Sequence, residues 1–280
     1  MAQQTLRRAR RAIALPTQTL DGLGRQLAFY GRAYSWAPLV LRRYPREIWR
    51  QLAAVSLGTG ALALVGGTAV IVAFLTGTAG IEVALQGYSQ LSNVGVEALS
   101  GFISAYLNTR IAAPLIAGVA LIATVGAGFT AELGAMRISE EIDALDVMAI
   151  PSVPFLVTTR VIAGLIAITP LYAISLIMSY GLTRLTVVLF YGQSPGSYDH
   201  YFATFLVPAD ILSSLVEVLT MAVVVISVHC YYGFKAAGGP SGVGKAVGQA
   251  VRLSLISIMV VAMAMSLLLY GNSDTLHISR

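Results

Sequence analysis

The residue pattern best suited to phosphate chemistry lies late in the chain. Gly239, Gly244 and Lys245 complete the spacing G-x-x-x-x-G-K, in which backbone N–H groups of a glycine-rich loop cradle phosphates and the lysine reaches them. A nucleotide site of this kind also needs Ser or Thr after the lysine to hold Mg²⁺, and a strand before the loop. Here Ala246 follows, and a long apolar stretch precedes. The segment therefore reads as a flexible loop where the chain reverses, with Lys245 as a charged anchor. His200, His229 and His277 lack zinc spacing. Cys230 is the sole cysteine, which excludes a disulfide within the chain and a Cys-based zinc site. No nucleophile elbow accompanies any serine. No catalytic or metal-binding set is assigned.

Carboxylates in apolar surroundings come next. Asp210 and Glu217 stand seven residues apart and share a helix face. They line a substrate pathway or a subunit interface; alternatively, Asp210 caps a helix after Pro208 and Glu217 bonds a neighbouring helix. A denser acidic group lies in 131–160, with Glu132, Glu140, Glu141, Asp143 and Asp146 around Arg137. Ser139 is placed to cap a short helix whose first turn holds Glu140 and Glu141. Ile138, Ile142, Leu145 and Ala149 give that helix one apolar face, and Pro151 and Pro154 end it. Its acidic surface suits docking of a cytoplasmic partner better than simple solvation.

The elements that must carry these residues are set by composition. The chain has 280 residues, 56% hydrophobic and only 11% charged, where soluble domains carry about 25%. Five stretches are long enough to cross a bilayer as helices, at about 52–81, 111–131, 161–191, 202–234 and 253–271. They do not alternate as barrel strands do. The stretch 83–109, with Glu97 as its one charge, reads as a re-entrant or interfacial piece. The third span is long enough to tilt. The expected fold is an all-α integral membrane protein.

Arginines and lysines orient it. Ten of the 18 basic residues precede residue 51, and the segments on the side of the N-terminus hold fifteen against three on the other. The N-terminus is expected in the cytoplasm and the C-terminus outside. Residues 1–19 form an Arg-rich cytoplasmic tail and 272–280 an external one. Within 20–50, Leu20, Leu23, Leu27, Tyr30 and Tyr34 form a helical stripe, with Arg25 and Arg32 on another face. This predicts an amphipathic helix in the headgroup plane, flanked by Trp36, Tyr44 and Trp49.

The run Gly126 to Met148 (GAGFTAELGAMRISEEIDALDVM), continuing through PSVPFLVTTR to Arg160, resembles the signature of the MlaE/YrbE permease family. Cys230-Tyr-Tyr-Gly-Phe and the run Gly238 to Gly244 resemble its second cytoplasmic loop. The likeness extends over residues 25–271, is greatest to the YrbE branch of Mce systems, and suggests the B-type subunit. It implies a permease domain over 51–271 and a coupling helix over 132–149 that docks on a separate cytoplasmic ABC ATPase. The ATPase would bind ATP and Mg²⁺, leaving this chain non-enzymatic and without a cofactor of its own. The resemblance further implies a paralogous YrbE permease as heterodimer partner, MCE-domain proteins, and residence in the plasma (inner) membrane. The cargo would be fatty acid, mycolic acid, sterol or phospholipid, with no nucleic acid involved. The family often has a lysine seven residues after the aspartate that opens the fourth span; here that position is Glu217, so no lysine role carries over. Two other functions fit the same composition: a non-transporting membrane scaffold, and a proton-coupled secondary transporter using Asp210 and Glu217.

Overall fold

The computed structural model describes residue 22 and residues 24–57 and 67–271. No strand occurs among the described residues. Three short helices come first: α1 over 24–35, α2 (Ala37–Arg43) and α3 (Pro45–Leu57). Five long helices follow, each long and apolar enough to cross a membrane: α4 (Gly67–Ser92), α5 (Glu97–Ile138), α7 (Pro154–Phe190), α9 (Pro208–Phe234) and α10 (Gly239–Tyr270). Between them lie α6 (Glu141–Val147) and α8 (Pro195–Phe205). The all-α architecture with five spans agrees with the apolar pattern of the sequence.

The boundaries differ in instructive ways. The first spanning helix begins at Gly67 and runs to Ser92, later than 52–81, and Leu52 belongs to α3. Residues 58–66, inside the expected first span, lie outside the described residues. Within 83–109, residues 83–92 close α4 and 97–109 open α5, with a turn at 93–95 between them. The fourth stretch divides, because extended Val207 and Pro208 at the first turn start α9 afresh. The Gly239–Lys245 segment is the opening of α10 rather than a flexible loop. Left-handed Gly238 (φ 93°) makes the reversal and Pro240 sits in the first turn, where its missing N–H costs nothing. At about 1.5 Å per residue, the 37-residue α7 is roughly 55 Å long, well beyond a hydrocarbon core of about 30 Å.

Chain reversals alternate, so the bundle has two ends. The proximal end carries α1–α3, α6 and the α9–α10 turn. The distal end carries α8 and the α4–α5 turn. Helix α7 packs chiefly on α4, and α9 on α10 and α5. With lipid outside, close backbone approach and buried polar contacts take over from the hydrophobic effect as the force holding helices together. A Cβ at Gly80 would overlap the Ser179 carbonyl, so glycine permits the α4–α7 crossing. There Thr183 Oγ1 donates to the Gly80 carbonyl at 2.8 Å, and Asn108 Nδ2 donates to Thr183 Oγ1 at 2.9 Å, joining α4, α5 and α7. In α5, the turns over Ser104–Ala112 widen to π-helix just before Pro114, a register that accommodates a residue with no N–H to offer.

The N-terminal helices pack on the bundle. Phe29 meets Tyr231 edge-on at 5.4 Å, the Tyr34 and Ser227 hydroxyls bond, and Thr158 Oγ1 donates to the Ala33 carbonyl at 2.8 Å. The inward face is Gln26, Phe29, Tyr30 and Ala33, so the predicted stripe is rotated: Leu27 points away. Leu20 and Leu23 lie outside the described residues. Trp36, Leu39, Leu41 and Trp49 remain exposed.

Candidate functional site

At the proximal end, the acidic segment divides into two elements. Glu132 and Arg137 stand on the last turns of α5, and only Glu141–Val147 forms the separate α6. Ser139 does not cap it. Its hydroxyl, with one proton to give, lies 3.1 Å from the Ala135 carbonyl and 2.8 Å from Glu141 Oε1, while Glu140 occupies the N-cap in a left-handed conformation (φ 60°). Ala149, just past the C-terminus, is left-handed as well (φ 58°). Two such residues without glycine's freedom indicate a turn shape held by its surroundings.

Three contacts do the holding. Ile142 is fully buried. Arg137 Nη1 donates to Asp143 Oδ1 at 2.6 Å, tying α6 to the end of α5. Asp146 Oδ1 accepts from the Ser152 N–H at 3.3 Å. Several of the acidic side chains are thus engaged within the chain. Glu140, Glu141, Asp143 and Asp146 remain exposed along α6, and its C-terminal tip is apolar: Val147 is 87% exposed and Met148 62%.

Beside α6 lies a charged niche of about 410 Å³, lined by Arg50, Gln51, Ala54, Glu132, Ala135, Met136, Glu141 and Arg160. Arg160 is buried, its side chain only 3% exposed. It donates to Glu132 Oε2 at 3.2 Å and to the Leu156 carbonyl at 2.9 Å, and its guanidinium stands 5.6 Å from the Phe129 ring. Its Nε has no hydrogen-bond partner. On α3, Arg50 donates to both oxygens of Glu47 at 2.9 and 2.7 Å, and Gln51 adds a third bond at 2.8 Å. Burial opposes the ionisation of Glu47, but these bonds outweigh it and hold the carboxyl below its ordinary range.

Toward the distal end, Asp210 and Glu217 share a helix but not a site. Asp210 accepts two bonds from Arg110, at 3.0 and 2.8 Å. The Arg110 guanidinium also lies against the rings of Tyr106 and Tyr270, at 4.6 and 4.5 Å. Glu217 is buried within the chain, 3% exposed, and its Oε2 has no hydrogen-bond partner. Nearer the proximal end, buried His229 shares Nδ1 with Thr130 Oγ1 at 2.7 Å and packs against Gly126, where a Cβ would come within 2.7 Å.

Sequence reasoning assigned no role to Arg110 or Arg160. A lone arginine within an apolar stretch is the signal that could have marked each. A wide apolar cleft of about 950 Å³ also runs between α7 and α9, lined by Leu165, Ile166, Thr169, Pro170, Val216 and Thr220 among others.

Comparison with known proteins adds the following. A family described as "Permease MlaE" matches residues 58–268. A probable ABC transporter permease protein of Rickettsia bellii is 32% identical over 192 residues, covering 68% of this chain and 73% of that protein. A probable ABC transporter permease protein of Synechocystis is 28% identical over 214 residues, covering 76% and 81%. The Arabidopsis thaliana protein named trigalactosyldiacylglycerol 1, chloroplastic, is 28% identical over 207 residues, covering 73% of this chain and 59% of that one.

Proposed function

The chain belongs to the MlaE permease family, and from that premise we propose that it is the membrane subunit of an ATP-driven lipid transporter, worked through α6 by a separate ATPase. As a transmembrane permease subunit of the ABC class it implies an ATPase partner. The observation that carries the coupling role is the shape of α6. A short helix is pinned by Ile142 and the Arg137–Asp143 pair, and its apolar tip, Val147 and Met148, projects from the proximal end. Rigid and small, such a knob suits a cleft on a partner surface. Arg137 braces it from α5, where Glu132 bonds Arg160 instead; Glu140, Glu141 and Asp146 form its acidic margin.

ATP and Mg²⁺ would be held by the ATPase. Closure of its nucleotide-binding subunits would move α6, and the switch would draw its energy from unequal affinity of the ATPase for the two permease states. The proximal end faces the cytoplasm, as the excess of arginine and lysine on that side implies, and the membrane is the plasma (inner) membrane. A lipid cargo fits the apolar bundle, and one plant relative bears the name of a glycerolipid. A paralogous permease and MCE-domain proteins would complete the system. Glu217 is buried within this chain and does not face a partner subunit; Asp210 with Arg110 stands nearer the distal mouth and is the better candidate for a pathway wall.

The test is co-purification of the ATPase with a Val147→Asp/Met148→Asp variant. Association should fall at least tenfold, since an apolar tip lost from a pocket costs more than about 1.4 kcal/mol. Undiminished association, with the variant correctly inserted, would remove α6 from the interface.

A further inference from the structure

Next to α6, on the proximal face, the end of α5 and the opening of α10 flank an apolar groove of about 410 Å³. Ala135, Ile138 and Ser139 line one side, and Pro240 and Val243 the other. We propose that this groove receives an apolar side chain of the ATPase, so that the nucleotide-driven subunit grips α10 directly as well as α6. The inference rests on the reading of α6 as the docking element and gives the same partner a second contact.

Small residues build the groove. Gly134 lets α5 come close to α10: a Cβ there would lie 2.9 Å from Val243 and 3.3 Å from Ala236. Left-handed Gly238 and Gly239 (φ 93° and 72°) turn the chain sharply into α10, and a Cβ at Gly242 would overlap the Ala237 carbonyl. The two walls are therefore fixed by close backbone packing, while the short side chains of Ala135 and Ser139 leave the space between them open. Ala135, Ile138 and Pro240 are exposed. A rigid apolar recess of this kind suits one anchoring side chain from a partner.

Charge and distance identify that partner. At the groove's edge the Ser139 hydroxyl lies 2.8 Å from Glu141 Oε1, and Glu140, Glu141, Asp143 and Asp146 are exposed beyond it. An acidic rim repels an anionic lipid surface and favours a protein surface with lysine or arginine around its apolar residue. Ser139 precedes α6 and Val147 ends it. A seven-residue helix rises about 10 Å, which separates the groove from the apolar tip. A stable interface covers roughly 800 Å² of each partner, a patch about 30 Å across. A subunit seated on Val147 and Met148 therefore covers the groove too. Since one wall belongs to α10, movement of the ATPase reaches that span without passing through α6.

The experiment uses the full-length chain co-expressed with the ATPase subunit of its transporter. Cys230, the only native cysteine, is fully buried, so Ala135→Cys can be labelled selectively with benzophenone maleimide. Irradiation should link it to the ATPase, identified by peptide mass spectrometry. Ala135→Trp, which fills the groove, and Ile138→Asp, which charges it, should each lower the co-purified ATPase about tenfold in protein that remains folded by gel filtration. Val147→Asp/Met148→Asp reports on α6 separately. If that variant loses the ATPase while the groove variants keep it, the groove falls and α6 stands; the reverse pattern removes α6 and keeps the groove. Crosslinks confined to lipid or to residues 1–21 of this chain also overturn the proposal.

Discussion

Asp210 illustrates how much a single residue's role depends on what faces it. Its carboxylate is 100 residues from Arg110 in sequence, yet two Arg110 nitrogens donate to its Oδ2, with only 17% of the Asp210 side chain and 11% of the Arg110 side chain exposed. Removing one member of a shielded pair leaves the other charged in a poor solvent, whereas replacing both with apolar groups does not. Asp210→Asn should therefore destabilise the protein by about 3 kcal/mol, and the double variant Arg110→Met/Asp210→Leu should recover most of that. Unfolding of purified protein in graded denaturing detergent measures both. An Asp210→Asn variant as resistant as the wild type would show the pair to be structurally idle. The sequence singled out Asp210 for its apolar setting, and that signal was sound. It gave Arg110 only a place in a charge count, because partner choice depends on how α5 and α9 are rotated about their axes.

Among the elements, α6 departs most from its sequence reading. Spacing placed an acidic helix after residue 138 but favoured Ser139 as its cap, and the resemblance treated 132–149 as one unit. In the fold, the left-handed backbone at Glu140 divides that unit, and the Ser139 hydroxyl is turned back onto α5. Local capping preference lost to tertiary anchoring, since burying Ile142 fixes where the turn must fall. Ile142→Ala should accordingly release α6 without disturbing the spans, at a cost of about 2–5 kcal/mol to that local unit. Hydrogen exchange of 141–148 should accelerate while exchange in α9 stays unchanged. Unaltered protection in α6 would mean that the Arg137–Asp143 contact suffices to hold it. Helix α10 teaches the same lesson in reverse. Its glycine-rich start reads as a loop, but Gly238 in the left-handed region and Pro240 in the first turn make it a clean helix opening.

For the whole molecule, the consequence is polarity across the membrane. The proximal end carries α6 and most of the arginine; the distal end carries α8 and the α4–α5 turn. The only native cysteine, Cys230, is fully buried, so introduced cysteines report cleanly. Val147→Cys should react with an impermeant maleimide only after the cytoplasmic face is opened, and Val94→Cys, in the α4–α5 turn, should react from outside in intact cells. The opposite pattern would invert the orientation. Composition by itself determined that the chain is helical, with five helices long and apolar enough to cross a membrane. In lipid every apolar segment must satisfy its own backbone, and that requirement is local enough to be read residue by residue. The basic bias of one side is equally local. Tertiary structure alone decided that Arg160 meets Glu132, that Arg110 meets Asp210, that Glu217 turns inward, and that a charged niche opens beside α6. The physical reason lies in the spans themselves. A helix that is apolar all round has no face written into its pattern, so its rotation and register are set by close contacts such as Gly80 against Ser179. Those contacts exist only once the helices have met.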